Sequence, residues 1–180
     1  MNGWKNAKLA ELLINYDSKR IPLSSLERVK RKGIYPYYGA TSVLDYVNDY
    51  LFDGEYILLG EDGTVVTPDG KPVLQLVVGK FWVNNHAHVL RNTEKVDFKF
   101  LYYLLKNMPI TSAVTGAVQP KISQKNLYAL EVLYPENIDH QQKIAAVLSA
   151  LDSKIELNTK INNNLAHAND NVAFNLKEAA

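Results

Sequence analysis

The chain has 180 residues, with 20 Lys and Arg against 19 Asp and Glu and no cysteine. This length suits one domain with an appendage, and the absence of cysteine excludes a disulfide scaffold, a thiolate zinc site and a thiol nucleophile. The net charge of +1 decides nothing about a nucleic-acid partner, because only the surface that faces the phosphates must be basic. No apolar run reaches the length of a membrane span and the first residues lack a signal-peptide core, so we expect a soluble cytoplasmic protein.

A short segment near the start of the chain combines cations with aromatic rings. It supplies Lys30, Arg31 and Lys32, followed by Tyr35 and Tyr37. Flexible cations bind phosphates, so a basic and aromatic loop of this kind favours a nucleic-acid surface. The alternative is a solvated turn whose tyrosines belong to the core.

Short apolar runs separated by Gly, Pro, Asn and Asp predict strands and turns over most of the first 137 residues. Asp69-Gly70 favours a hairpin turn, because such turns need a positive φ. Lys80 stands just before one apolar run, where it could contact a phosphate. Leu and aromatic residues at helical spacing predict a helix from Phe98 to Asn107. The predicted strands are residues 56–60, 65–67, 73–78, 81–83, 86–90 and 127–133.

Two patterns in this region have the residue types of metal sites. Asp69, with Asp97 and Lys99 further on, could hold Mg²⁺ and orient a water as in many nucleases. However, Asp69 falls in the predicted turn and Asp97 at the start of the predicted helix, so we favour structural roles. His86 and His88 share one strand face, but no third ligand is evident, and we favour a hydrogen-bonded structural pair.

The region after residue 137 has a helical period and contains no Pro or Gly. Apolar residues and Asn recur in steps of four and three, which is the a/d spacing of a heptad repeat. A helix of about 40 residues is roughly 60 Å long, and a single apolar stripe along it needs a partner. We expect pairing with a second copy of the chain rather than folding back on the first domain. The stripe comprises Ile144, Leu148, Leu151, Ile155, Asn158, Asn162, Leu165, Asn169, Val172 and Leu176.

Three motifs follow one another in a distinctive order. Residues 115–123 read Thr-Gly-Ala-Val-Gln-Pro-Lys-Ile-Ser, an apolar strand then ends at Pro135, and residues 141–152 read Gln-Gln-Lys-Ile-Ala-Ala-Val-Leu-Ser-Ala-Leu-Asp. This order resembles the specificity subunits of type I restriction-modification enzymes. Residues 56–63 and 83–90 also match patterns of that family, so the resemblance covers nearly the whole chain.

The resemblance implies an α+β target recognition domain of mixed or antiparallel strands, residues 1–137, followed by a long helix, residues 138–180. Typical family members carry two recognition domains and two long helices, whereas this chain has room for one of each. We therefore expect either a half-length specificity subunit or a fragment of a longer one, because the last residues do not suggest the start of a second recognition domain. A half-length subunit implies a homodimer, in which antiparallel long helices hold two recognition domains on inverted half-sites of double-stranded DNA.

The resemblance also implies that the chain is not an enzyme and needs no cofactor. Methyl transfer and cleavage would belong to methyltransferase and restriction subunits, the first of which docks on the long helices. S-adenosylmethionine, ATP and Mg²⁺ would be bound by those partners only. The sequence agrees, since it lacks a glycine-rich nucleotide fingerprint, an Asn-Pro-Pro-aromatic or Asp-Pro-Pro-aromatic element, and a Gly-x-Ser-x-Gly elbow.

The first of the three motifs supplies further candidates for contact with DNA. Gln can form two hydrogen bonds with an adenine edge, and Lys can reach a phosphate or a guanine. The alternative is a turn that packs under the helix, and Glu61 with Asp62 is similarly either a cytosine contact or a plain acidic turn. The main rival function is a helix-mediated protein-interaction module that binds no DNA. The candidates in the motif are Thr115, Gly116, Gln119 and Lys121.

Overall fold

The structure, a computed structural model, describes the backbone of residues 3–178 and the side chains of residues 3–165. The chain divides into two compact units, Met1–Gln142 and Lys143–Ala180. The first unit combines strands with short helices, and the second belongs to one long helix. The predicted α+β class is therefore confirmed.

The first unit is built on strands β1 (Trp4–Lys8), β2 (Leu13–Asn15), β3 (Lys32–Tyr38), β4 (Val43–Val47), β5 (Phe52–Gly60), β6 (Leu74–Val83), β7 (Ala87–Asn92), β8 (Val114–Thr115), β9 (Lys121–Ile122) and β10 (Glu131–Pro135). Six of them form one sheet in the order β2-β7-β5-β6-β3-β4. Within this sheet β3 runs parallel to β6, and the other neighbours are antiparallel. The pairs β1–β10 and β8–β9 are separate and antiparallel.

Strand β5 lies in the interior of this sheet and is hydrogen-bonded to β6 on one side and β7 on the other. Its residues 56–60 are all buried, as the continuous apolar run predicts for a strand that is covered on both faces. The rings of Phe52, Tyr56 and Phe81 pack together with centroid distances of 5.1 to 5.6 Å. They form a core cluster with Leu58 of β5 and with small and branched residues of β6 and β7.

Three of the strand predictions in this region are wrong. Residues 73–78 and 81–83 do not form separate strands, because Gly79 (φ +92°) faces Gly54 (φ +128°) in register and the pairing of β5 with β6 continues through this point. Residues 65–67 form no strand, and only an isolated bridge joins Val66 to Pro72. The turn itself is as predicted, with Gly70 at φ +80°.

The helices are α1 (Ser25–Lys30), α2 (Phe98–Asn107), α3 (Gln124–Ala129) and α4 (Ile138–Glu178), with 3-10 turns at Leu9–Glu11, Asp17–Lys19 and Thr111–Ala113. Helix α2 has the predicted bounds, because the Asp97 side chain accepts a hydrogen bond from the Phe100 amide at 2.9 Å and caps it. The strand predicted at 127–133 is wrong in its first half. Ser123 caps α3 by accepting from the Asn126 amide at 3.2 Å, and β10 begins only at Glu131.

Helix α4 runs from the end of the first unit into the second and carries the apolar stripe. Leu151, Ile155 and Leu165 expose 52%, 64% and 58% of their surface, Asn158 and Asn162 are also exposed, and Ile144 and Leu148 are half-buried. The side chains of Asn169, Val172 and Leu176, and residues 179–180 of the predicted helix, lie outside the described residues. Among the helices of residues 3–178, none has the length and hydropathy to cross a membrane.

Candidate nucleic-acid interface

Cations lie over aromatic rings on one surface of the sheet, beside α1. The Arg28 guanidinium carbon is 5.2 Å from the centroid of the Tyr37 ring, and that of Arg31 is 5.8 Å from the Trp82 ring. Contacts of this kind hold a cation in place while leaving part of it available to an anion. We call the group Arg28, Arg31, Tyr35, Tyr50 and Lys80 the basic–aromatic patch.

The parallel pairing of β3 with β6 creates this patch. Tyr37 is in register with Trp82, and both side chains are buried in a small cluster with Leu23 and Val47. The Leu23 amide donates to the Tyr37 hydroxyl at 2.9 Å, which fixes the segment that enters α1. Tyr37, a predicted DNA contact, is thus a buried support for the patch and is only 1% exposed.

Lys80 and Tyr35 come together at a third ring, that of Tyr50. The Lys80 ammonium nitrogen is 4.5 Å from the Tyr50 centroid, and the rings of Tyr35 and Tyr50 meet edge-on with centroids 5.1 Å apart. A hydrogen bond with the Tyr50 side chain raises the pKa of Lys80. Tyr50 was not among the sequence candidates, because only the fold brings its ring into contact with Tyr35 of β3 and Lys80 of β6.

The cations of the basic segment, residues 28–32, differ in their ion-pair partners. The Lys32 ammonium is 2.5 Å from Oδ1 of Asp45 on β4, and Nε of Arg28 is 3.4 Å from Oδ2 of the same carboxylate. The Lys32 hydrogen bond holds the pKa of Asp45 below its usual value. Lys30 is exposed at the end of α1. Lys30 and Arg31 therefore carry charge that Asp45 does not neutralise.

The first motif forms a compact hairpin, residues 114–122, which we call the motif hairpin. Gly116 has φ +86°, and a Cβ at this position would lie 2.4 Å from the carbonyl oxygen of Gln119, so only glycine fits. The Thr115 hydroxyl donates to the carbonyl oxygen of Lys121 at 3.3 Å. Gln119 is exposed near the tip, next to Val118, which is 99% exposed.

The turn after β5 anchors this hairpin. The Ile122 amide donates to the carbonyl oxygen of Glu61 at 2.8 Å, and the Gly63 amide donates to that of Pro120 at 3.0 Å. The Lys121 ammonium lies 3.2 Å from the Glu61 carboxylate. Glu61 is thus an anchor for Lys121, and its carboxylate is bound within the protein.

A buried charged network continues from Glu61 into the core. Arg20 donates from Nη1 to Glu61 at 2.7 Å, and Nδ1 of His88 is hydrogen-bonded to Asp17 at 2.6 Å. Nε2 of His88 donates to the carbonyl oxygen of Ile122 at 2.8 Å. Burial raises the pKa of Asp17, but the hydrogen bonds and attraction from His88 and the bonds from Val89 and Gln124 outweigh it and lower the pKa to about 2.

Ligand atoms of Asp17, Glu61 and His88 lie within 4.8 Å of one another, which is close enough for a metal ion. Arg20 and Lys121 already compensate the two carboxylates, so the donor set suits an ion-pair network better than a cation site. The pKa of Glu61 agrees, since Arg20, His88 and Lys121 outweigh the effect of burial and lower it.

The two histidines and the nuclease-like residues have separate structural contacts. Nδ1 of His86 is 2.6 Å from Asp62, whereas His88 contacts Asp17. Asp69 is exposed in its turn, where it accepts from the Thr67 hydroxyl at 2.6 Å. The structure thus gives both histidines and Asp69 local hydrogen-bond partners.

The two candidate surfaces lie at opposite ends of β5. Lys80 of the basic–aromatic patch is in register with Asp53, near the first residue of the strand. Glu61, which anchors the motif hairpin, directly follows the last residue, Gly60. The predicted DNA contacts therefore form two groups, and the cations concentrate in the patch.

Known proteins resemble this chain over most of its length. Residues 1–167 match the family model described as the type I restriction modification DNA specificity domain. A Haemophilus influenzae protein that bears the name of a type I restriction enzyme specificity subunit is 35% identical over 82% of this chain and 37% of its own length. The specificity subunit of the Escherichia coli EcoprrI type I enzyme is 27% identical over 71% of this chain and 30% of its own length. The chain thus spans about a third of these curated relatives.

Solved structures share the fold. The S subunit of a type I restriction-modification system from M. genitalium superposes with a TM-score of 0.70 at 20% identity, covering 85% of this chain and 40% of that one. The HsdS subunit from Thermoanaerobacter tengcongensis gives a TM-score of 0.51 at 17% identity, covering 86% and 39%. The mixed sheet followed by a long helix is therefore an architecture already seen in such subunits.

Proposed function

Because this chain belongs to the family of type I restriction-modification DNA specificity domains, we propose that it recognises double-stranded DNA by sequence and catalyses no reaction itself. Specificity subunits are the non-catalytic DNA-recognition subunits of restriction-modification systems. One recognition domain reads one half of a bipartite target, and this chain contributes one such half.

The basic–aromatic patch is the observation that carries the proposal. Lys30 and Arg31 carry positive charges that Asp45 does not contact, Arg31 lies over the Trp82 ring and Lys80 lies over the Tyr50 ring, and phosphates bind such clusters. The exposed Gln119 of the motif hairpin is available for a base edge. Phosphate contacts from the patch and base contacts from shorter polar side chains together would give sequence-specific recognition of DNA.

The function requires a second recognition domain, and we propose that a second copy of this chain provides it. The stripe of α4 supports this proposal, because Leu151, Ile155 and Leu165 stay more than half exposed in the single chain. Asn158 and Asn162 interrupt the stripe, and Asn at such positions selects register and partner number at a cost in stability. Antiparallel pairing of two α4 helices would place two recognition domains at a fixed separation on inverted half-sites.

The complete complex would work in the cytoplasm with further subunits. We propose that a methyltransferase subunit docks on the paired helices and that a restriction subunit joins through it. S-adenosylmethionine, ATP and Mg²⁺ would be bound by those subunits. The present chain would then supply the recognition of DNA and set the distance between the two recognition domains.

An electrophoretic shift of the full chain with random duplex DNA at low salt tests the proposal. A salt-sensitive shift, followed by enrichment of a short motif from a random duplex pool, is the expected result. A protein-interaction module with no DNA binding would give no shift under the same conditions.

Light scattering of three proteins tests the homodimer. The unaltered chain should have twice the mass of one protomer, and the Leu151→Asp, Ile155→Asp variant should have the mass of one. Ser153→Asp, on the opposite face of α4, is the matched control and should remain dimeric. A dimer that survives both stripe substitutions would contradict pairing through the stripe.

A further inference from the structure

Helix α1 has its apolar side chains on the outside. Leu26 and Val29 expose 76% and 64% of their surface, and none of the residues of α1 is fully buried. Leu26, Val29 and Lys30 are spaced i, i+3 and i+4, so they share one face of the helix. A surface helix ordinarily turns such a stripe towards the core. In α1 the apolar side chains face outward instead, and this apolar face lies next to Arg28 and Arg31 of the basic–aromatic patch in the sequence.

The helix is held to the domain by polar contacts instead. Arg28 lies over the Tyr37 ring, and its Nη1 donates to the carbonyl oxygen of Leu23 at 2.8 Å. Ser24 and Glu27 form a capping box, in which the Ser24 amide donates to the Glu27 carboxylate at 2.8 Å and the Glu27 amide donates to the Ser24 hydroxyl at 3.3 Å. These contacts form α1 without any contribution from Leu26 or Val29. The two apolar side chains are therefore free for an external partner.

We propose that Leu26 and Val29 are specificity-determining residues that contact thymine methyl groups in the major groove of the target. The charge of the surroundings selects this partner. Arg28 and Lys30 on α1 and the adjoining Arg31 outnumber Glu27, the one carboxylate of this helix, and would attract a polyanion to this part of the domain. The major groove admits an α-helix, and the thymine C5-methyl is the apolar group that bases present there. This inference rests on the proposed DNA recognition and assigns part of its base readout to α1.

The test compares duplexes that contain thymine with duplexes that contain uracil, which lacks only the methyl group. The full chain is first used to select its preferred sequence from a random duplex pool. Binding is then measured for the selected duplex with each thymine replaced in turn, using the unaltered chain and the Leu26→Ala, Val29→Ala variant. Alanine keeps the helix propensity of α1. Leu133→Ala, a half-exposed apolar residue of β10, is the matched control.

The unaltered chain should lose affinity by about fourfold for each contacted methyl group that is removed. The double variant should bind the thymine duplex more weakly by a similar factor and should no longer respond to uracil. Its affinity for random duplex should stay within about twofold, because its cations are unchanged. Leu133→Ala should behave as the unaltered chain does.

Two results would overturn the inference and leave DNA recognition intact. In the first, the double variant keeps the same selected sequence and the same response to uracil. In the second, it keeps the DNA preference but no longer co-purifies with a methyltransferase subunit, which would identify the face as a protein contact. Failure of the unaltered chain to bind any duplex would instead refute the proposed function itself.

Discussion

The ammonium nitrogen of Lys32 lies 2.5 Å from Oδ1 of Asp45 on the neighbouring strand. Arg28 reaches the other oxygen of the same carboxylate at 3.4 Å. Asp45 thus forms ion pairs with two of the four cations in residues 28–32. Arg28 and Lys32 share this one negative charge and together keep one net positive charge, whereas Lys30 and Arg31 interact with Glu27 instead.

Asp45→Asn should therefore strengthen binding to DNA of any sequence. The substitution keeps the shape of the side chain and releases Lys32 to contact phosphates. We expect affinity for random duplex to rise about two- to fivefold at low salt, the range that one exposed ion pair represents. Titration of a labelled duplex measures the effect, and a weaker affinity would show that Asp45 is needed to hold Lys32 in place.

Replacing Lys30 and Arg31 together by Ala should weaken binding to all sequences alike. Each phosphate contact contributes about 0.9 to the slope of log affinity against log salt, so the slope should become shallower by about 1.8. Lys95→Ala, which removes a cation between β7 and α2 that pairs with Glu11, is the control and should leave the slope unchanged. An unchanged slope in the double variant would place the phosphate contacts elsewhere.

Local patterns were sufficient to predict several elements of this fold. The helical spacing and the capping Asp97 define α2, and the apolar run of β5 reflects its place between two hydrogen-bonded neighbours. The a/d spacing after residue 137 predicts α4, which begins at Ile138. In each case the signal lies within a few turns or residues of the element itself.

The pairing of charges could not be predicted in the same way. Asp45 meets Lys32 only because β3 and β4 are adjacent, and Glu61 meets Lys121 only because the motif hairpin returns to the end of β5. The exposure of Leu26 likewise contradicts the rule that apolar residues of a helix face the core. Such features depend on long-range contacts that residue spacing does not encode.

Gln119→Ala should relax the preference at one base position. A pair of hydrogen bonds to an adenine edge contributes about 1–3 kcal/mol of discrimination, whereas affinity for random duplex should change little. Selection from a random pool with both proteins measures the preference at every position. Identical rankings of all bases would mean that Gln119 has only a structural role in the motif hairpin.

The low pKa of the buried Asp17 predicts that the free energy of unfolding decreases in acid. Its pKa is about 2 in the folded protein, below the ordinary value of 3.8, so its ionised form stabilises the fold above about pH 4. This contribution, about 2 kcal/mol, should be lost as the pH falls from 4 to 2. Urea unfolding across this range should show a smaller pH dependence for Asp17→Asn than for the unaltered chain.

Glu55→Gln is the control for this measurement, because Glu55 is an exposed carboxyl on β5. Its unfolding should follow the unaltered chain between pH 4 and pH 2. Equal pH dependence in the Asp17→Asn variant and the unaltered chain would show that the network around His88 does not hold Asp17 ionised.

Recognition of DNA by this chain is tested most directly by the equilibrium affinity of the full chain for duplex DNA, measured from about 50 to 200 mM salt. We expect measurable binding to random duplex at the lowest salt, a negative salt slope, and tighter binding to a sequence selected from a random pool. Absence of binding at the lowest salt, or equal affinity for selected and random duplex, would contradict recognition of DNA by this chain.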